Sequence, residues 1–170
     1  VDPQDFLDRA DVLAALGLTV LVSDFSQYYR LSAFLSRMTH EPIGIALGVT
    51  RLLNLFEENF YADLPGGILE SFGRLLKNHL KLFVYPAINK QTGQIHTVEN
   101  LVVPGGQQKL YDYLNERGSF VGLQASDPAL LSIYPKDVMN AMIGRDPKWK
   151  TMVPPEVIDV IESRQLFMHS

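Results

Sequence analysis

The stretch LTVLVSDFSQYYRLSAFLSRMTHEPIGIALG, Leu18 to Gly48, decides how this chain is read. Leu18 to Val22 is a short apolar run rich in β-branched residues, and Ser23 and Asp24 follow it at once. Tyr28, Leu31, Leu35 and Met38 then recur at helical spacing, Pro42 stops that helix, and Ile43 to Leu47 forms a second apolar run ending at Gly48. Apolar run, amphipathic helix, apolar run is the pattern of a βαβ unit whose parallel strands are buried on both faces. Its crossover is nearly always right-handed, and open α/β sheets bind ligands beyond the carboxyl ends of their strands. The pattern predicts Leu18–Val22 and Ile43–Leu47 as adjacent parallel strands, with Ser23, Asp24, Gly48 and Thr50 at their ligand-binding ends.

Upstream, Asp2-Pro3-Gln4-Asp5 signals a helix start with Asp2 as N-cap. Phe6, Ala10, Leu13 and Ala14 mark a face expected to cover the sheet, and Gly17 suits the position just past the helix end. Downstream, Thr50 is expected to cap a helix carrying Leu52, Leu53 and Phe56. Pro65-Gly66-Gly67 starts the next, with Leu69, Phe72, Leu75 and Leu76 inward and Glu70, Arg74 and Lys77 on the other face. Leu80 to Ile88 reads as a strand that leaves its sheet near Pro86. Asn89 to Gln94 reads as a hairpin turn that returns through Ile95 to Val98. Pro104-Gly105-Gly106 precedes a helix over 107–117, and Phe120 to Leu123 is a last short strand. From Asp127 the chain is helical and proline-punctuated, with Trp149 as an anchor and Pro154-Pro155-Glu156 opening a closing helix. The fold class expected is α/β, a three-layer Rossmann-like sandwich with a mainly parallel sheet of about four or five strands, one antiparallel hairpin and a helical C-terminal segment.

With 170 residues, 46% hydrophobic and 20% charged, the chain reads as one globular domain over 1–170. Its net charge of −4 includes no basic block, so no nucleic acid partner is expected. The absence of cysteine excludes disulfides, thiolate zinc sites, iron–sulfur clusters and a cysteine nucleophile. No apolar run approaches the roughly 20 residues that span a bilayer, and no signal peptide opens the chain, so no membrane partner and a cytoplasmic location are expected. Because it opens inside a helix-start signal rather than at a Met, the chain is expected to be the C-terminal domain of a longer protein.

Ser23 and Asp24 are the leading ligand candidates, since a carboxylate there suits a hydroxyl, a cation or a ribose and the serine suits phosphate. The plain alternative is that Asp24 or Ser26 caps the following helix. Gly48, Gly66 and Gly67 stand at helix starts, where free N–H groups and the positive dipole end favour anions. Neither GxGxxG nor GxxxxGK[ST] occurs. Tyr29 and Arg30 fall near the same edge, and arginine suits bidentate capture of phosphate. Glu70, Arg74 and Lys77 line either a polar cleft or a solvated helix face, Glu70 and Arg74 being a favourable i,i+4 pair. His40, His79, His96 and His169 show no metal-ligand spacing, so no metal is expected. No GxSxG elbow and no DxD nucleophile is present, leaving catalytic residues and cofactor unassigned.

The segments DFLDRADVLAALGLTVLVSDFSQYYRLSAFL, PIGIALG, GGILESFGRLLKNHLKLFVYP and WKTMVPPEVIDVIESRQLF together resemble the C-terminal region of a large bacterial protein family. Its members carry names such as nicotinate- or nicotinamide-nucleotide adenylyltransferase, or TonB-type receptor. A nucleotidyltransferase of that class needs paired histidines at HxGH or HxxH spacing, which this chain lacks. An outer-membrane receptor needs many alternating amphipathic strands, also lacking here. Two functions follow as expectations. One is binding of a phosphate-bearing or nucleotide-like small molecule at the strand ends. The other is a non-catalytic structural or dimerisation domain, packing against the upstream region of its parent chain or forming a homo-oligomer.

Overall fold

The computed structural model describes residues 3–167. In chain order its elements are α1 (Pro3–Ala15), α2 (Tyr28–Met38), β1 (Gly44–Gly48), α3 (Val49–Asn54), α4 (Gly67–Leu75), β2 (Lys81–Tyr85), β3 (Ala87–Ile88), β4 (Ile95–His96), α5 (Gln108–Glu116), β5 (Phe120–Gly122), α6 (Pro135–Ile143) and α7 (Pro155–Arg164). Short 3₁₀ turns occupy Glu58–Tyr61, Lys77–His79, Pro128–Ser132 and Pro147–Thr151. The architecture is mixed α/β. Where length suggests one domain, the chain divides into two compact units, Val1–Ser23 with Ser132–Ser170, and Asp24–Leu131.

The unit Asp24–Leu131 holds a three-stranded parallel sheet in the order β1-β2-β5 and a separate antiparallel pair, β3-β4. Ile45 aligns with Leu82 and Leu82 with Phe120, while Leu47 aligns with Val84. Successive strand residues alternate between faces, so these five side chains share one face. Leu47, Leu82, Val84 and Phe120 are buried there among Leu52, Phe56, Phe72, Leu75 and Tyr111. Phe56 is the hub, with ring centroids 4.8 Å from Phe72 and 5.6 Å from Tyr111. The opposite face carries Ala46, Phe83 and Val121 in register and is only partly covered. Pro86 ends the pairing as expected: the parallel ladder stops at Tyr85, and Ala87–Ile88 pair instead with Ile95–His96. Asn89 Oδ1 accepts the Gln91 and Thr92 N–H groups at 2.9 and 3.2 Å, fixing the hairpin tip.

The predicted strand over Leu18–Val22 does not form. Leu18, Leu21 and Val22 are 55%, 57% and 61% exposed, and β1 has β2 as its ladder partner. An unbroken apolar run has no alternation to mark a strand. Here it follows a helix stop, in which Gly17, at φ +80°, and Leu18 donate to the Ala14 and Leu13 carbonyls. The helix faces also shift. In α2 the buried side chains are Tyr29 and Ser32, while Met38 is 70% exposed. In α4 Ile68 is buried and Leu69 is exposed. Gly48, not Thr50, is the N-cap residue of α3.

In the unit Val1–Ser23 with Ser132–Ser170, α1 packs on α7 rather than on a sheet. Phe6 and Leu13 are largely exposed, and Asp8 is the buried residue of α1. Asp8 Oδ2 accepts the Phe167 N–H at 2.6 Å, and Oδ1 accepts from Gln4 Nε2 at 2.7 Å. Trp149 is buried. The expected N-cap Asp2 lies outside the described residues.

Candidate functional site

Helices α2 and α4 pack side by side, tied by Ser32 Oγ donating to the Leu75 carbonyl at 3.0 Å. Leu75 is the last residue of α4, where carbonyls lack helical partners, so Ser32 closes both a helix end and a seam. Along that seam runs a cleft of about 440 Å³. Arg30 and Arg37 enter it from α2, Arg74 from α4, and Lys77 and Asn78 from the turn that follows. Among the described residues, four cations line this cleft and no carboxylate does.

The cations are held unequally. Tyr29, buried on the cleft floor, has the Arg30 and Arg74 guanidinium carbons 5.9 and 5.8 Å from its ring centroid. Arg30 Nε donates to Tyr29 Oη at 3.2 Å, and that hydrogen bond shifts the guanidinium pKa upward, with Asp63 adding at longer range. Arg74 Nη2 donates to Glu70 Oε1 at 2.5 Å, so its charge is partly answered. Arg37 and Lys77 have no side-chain hydrogen bond or ion pair among the described residues. Two unpaired cations set beside two positioned ones form a field suited to an anion.

Asn78 and His79, at φ 58° and 59°, are consecutive non-glycine residues in the left-handed region. Asn and His tolerate that conformation better than most residues, yet each such position still carries strain. Beside them a smaller cavity of about 300 Å³ shares Ser36, Lys77 and Asn78 with the cleft. Ile43 and Leu80, which line it, immediately precede β1 and β2. The paired concavities therefore open at the amino ends of the strands, opposite the end where the sequence reading looks for a ligand.

Of the residues selected from sequence, Tyr29, Arg30, Arg74 and Lys77 come together in the cleft, with Glu70 bonded to Arg74. Ser23 and Asp24 lie in an exposed segment without a strand, and α2 begins after Gln27 with no side-chain cap, so neither Asp24 nor Ser26 caps it. Gly48 and Thr50 sit at the start of α3, a six-residue helix at the carboxyl end of β1. Gly66 and Gly67 open α4, but Glu70 Oε2 already accepts the Gly66 N–H at 2.8 Å. Ser32, Ser36, Arg37 and Asn78 escaped the sequence reading. The signal available was the Arg30/Arg37 pair two turns apart, facing Arg74 and Lys77 one turn apart.

In the other unit, Met139, Met142, Met152 and Val157 line an apolar groove of about 470 Å³. Among the described residues its single charged lining group is Arg9, which is engaged by Asp5 at 2.8 Å. No cluster of three or more His, Asp or Glu that could hold a metal exists among the described residues, and none of their helices is long and apolar enough to cross a membrane.

Fold and site thus define a mixed α/β protein with a cationic interhelical cleft. Compared with known proteins, the chain matches no family model, no curated protein and no solved structure.

Proposed function

We propose that the unit Asp24–Leu131 is a binding module for a small phosphate-bearing, nucleotide-like anion, held between α2 and α4. The observation that carries this reading is the pair of uncompensated cations, Arg37 and Lys77, lining one cleft with Arg30 and Arg74 and no carboxylate. In a chain of net charge −4, such a concentration focuses anions locally. The resemblance to a bacterial family with adenylyltransferase names adds no catalytic residue, so the reading is binding rather than a stated reaction. A cytoplasmic setting, rich in phosphorylated metabolites, suits a chain without cysteine. Titration calorimetry with pyrophosphate tests it. Binding that weakens about ten- to a hundredfold in Arg37→Ala or Lys77→Ala supports the site, by the strength of charge-assisted hydrogen bonds. Equal binding by wild type and both variants removes the cleft from the account.

A second reading rests on the half-covered sheet face of Ala46, Phe83 and Val121. Parallel sheets are normally covered on both faces. A layer supplied by an upstream region of a longer parent chain, or by a second copy, would complete a three-layer Rossmann-like sandwich and make the unit a structural or dimerisation domain. Concentration-independent sedimentation as a monomer argues against the second copy.

A further inference from the structure

The smaller cavity beside the cationic cleft differs from it in chemistry. Beyond the shared Ser36, Lys77 and Asn78, its lining includes Thr39, His40, Glu41 and His79 over an apolar floor of Ile43 and Leu80. Glu41 supplies a carboxylate whose oxygens accept no hydrogen bond among the described residues. The Glu41 backbone N–H donates to Thr39 Oγ1 at 3.0 Å, which holds this short segment in place. A carboxylate repels a second phosphate and attracts hydroxyl donors. From an anion seated among the arginines, the route into this cavity passes over Lys77 and Asn78, which line both spaces.

Resting on the anion-binding reading above, we infer that the ligand is a phosphate monoester of a polyhydroxylated ring. The phosphate occupies the cleft of Arg30, Arg37, Arg74 and Lys77. The ring enters the second cavity, with its hydroxyls donating to Glu41 and its carbon face on Ile43 and Leu80. Acceptor, imidazoles and apolar floor within one small space match a sugar better than a bare phosphate or an acyl chain.

Three probes separate the parts: inorganic phosphate, methyl phosphate and ribose 5-phosphate, titrated into the full chain and into Glu41→Ala and Arg37→Ala. Ribose 5-phosphate is expected to bind about tenfold or more tightly than methyl phosphate, the scale of a hydrogen bond to a charged group. Glu41→Ala is expected to abolish that advantage, and Arg37→Ala to weaken all three probes. Glu41 is exposed and its side chain holds nothing in place, so the variant folds, which circular dichroism verifies. Phosphate binding that depends on Arg37 without any preference for ribose 5-phosphate overturns the sugar inference and leaves the anion site standing. A preference that survives Glu41→Ala also overturns it. No binding of any probe overturns both.

Discussion

Ser32 Oγ reaches across from α2 to the carbonyl of Leu75 at the end of α4, a buried 3.0 Å hydrogen bond between residues 43 positions apart. It sets the spacing of the two helices that form the cationic cleft. Ser32→Ala leaves that carbonyl without its partner at a cost of about 1–3 kcal/mol. A melting temperature lower by several degrees is expected, together with weaker pyrophosphate binding, although Ser32 carries no charge. Unchanged melting would mean that the seam is held by other contacts.

Tyr111 makes alkaline stability predictable. Its hydroxyl donates to the Val98 carbonyl at 2.6 Å, and burial, with Glu99 and Asp112 nearby, pushes its pKa up to about 12. An unfolded tyrosine titrates near 10. Below about pH 10 both states keep the proton; between about pH 10 and 12 only the folded chain does, so stability falls across that window. Tyr61, also raised by burial, adds in the same direction. Tyr111→Phe should melt earlier at neutral pH by the loss of about 1 kcal/mol for one hydrogen bond. Above pH 10 its curve should fall less steeply and converge on wild type. Melting temperatures from pH 7 to 12 provide the check.

Asp8 should be a local keystone. The residue is 1% exposed and its carboxylate accepts from the Phe167 N–H and Gln4, joining α1 to the segment after α7. Asp8→Ala strands that N–H at a cost of about 1–3 kcal/mol. Native-state hydrogen exchange should then speed up in α7 while amides of β2, in the other compact unit, keep their protection. Equal loss in both would show that the two units open together.

The hairpin tip offers a paired test. Asn89 Oδ1 accepts two backbone N–H groups, whereas Thr92 Oγ1 accepts one, from Gln94 at 3.3 Å. Asn89→Ala should cost about 1 kcal/mol and Thr92→Ala no more than about 0.5 kcal/mol, the usual range for exposed positions. Comparable losses in denaturant melts would contradict this ranking.

Elements set by local chemistry were legible in the sequence. Pro86 ends the strand because it has no N–H for the ladder, Gly17 stops α1, and Asn89 to Gln94 turns the hairpin. Leu18–Val22 does not form the expected strand because its residues carry no period, so Ser23 and Asp24 do not stand at a strand end. The one-residue shift from Tyr28 to Tyr29 arises because α2 rests on the polar Ser32–Leu75 bond as well as on apolar packing. The cleft was legible only in pieces. Arg30 and Arg74 were each visible, but no spacing in the sequence announces that α2 and α4 lie together.

The central claim is the place where an anion binds, and backbone amide chemical shifts measured during a pyrophosphate titration test it most directly. The cleft account predicts saturable shifts confined to Arg30, Ser36, Arg37, Arg74 and Lys77 to His79. Shifts centred instead on Gly48 to Thr50 at the carboxyl end of β1, or on Gly66 and Gly67, would contradict it, as would no shift at all.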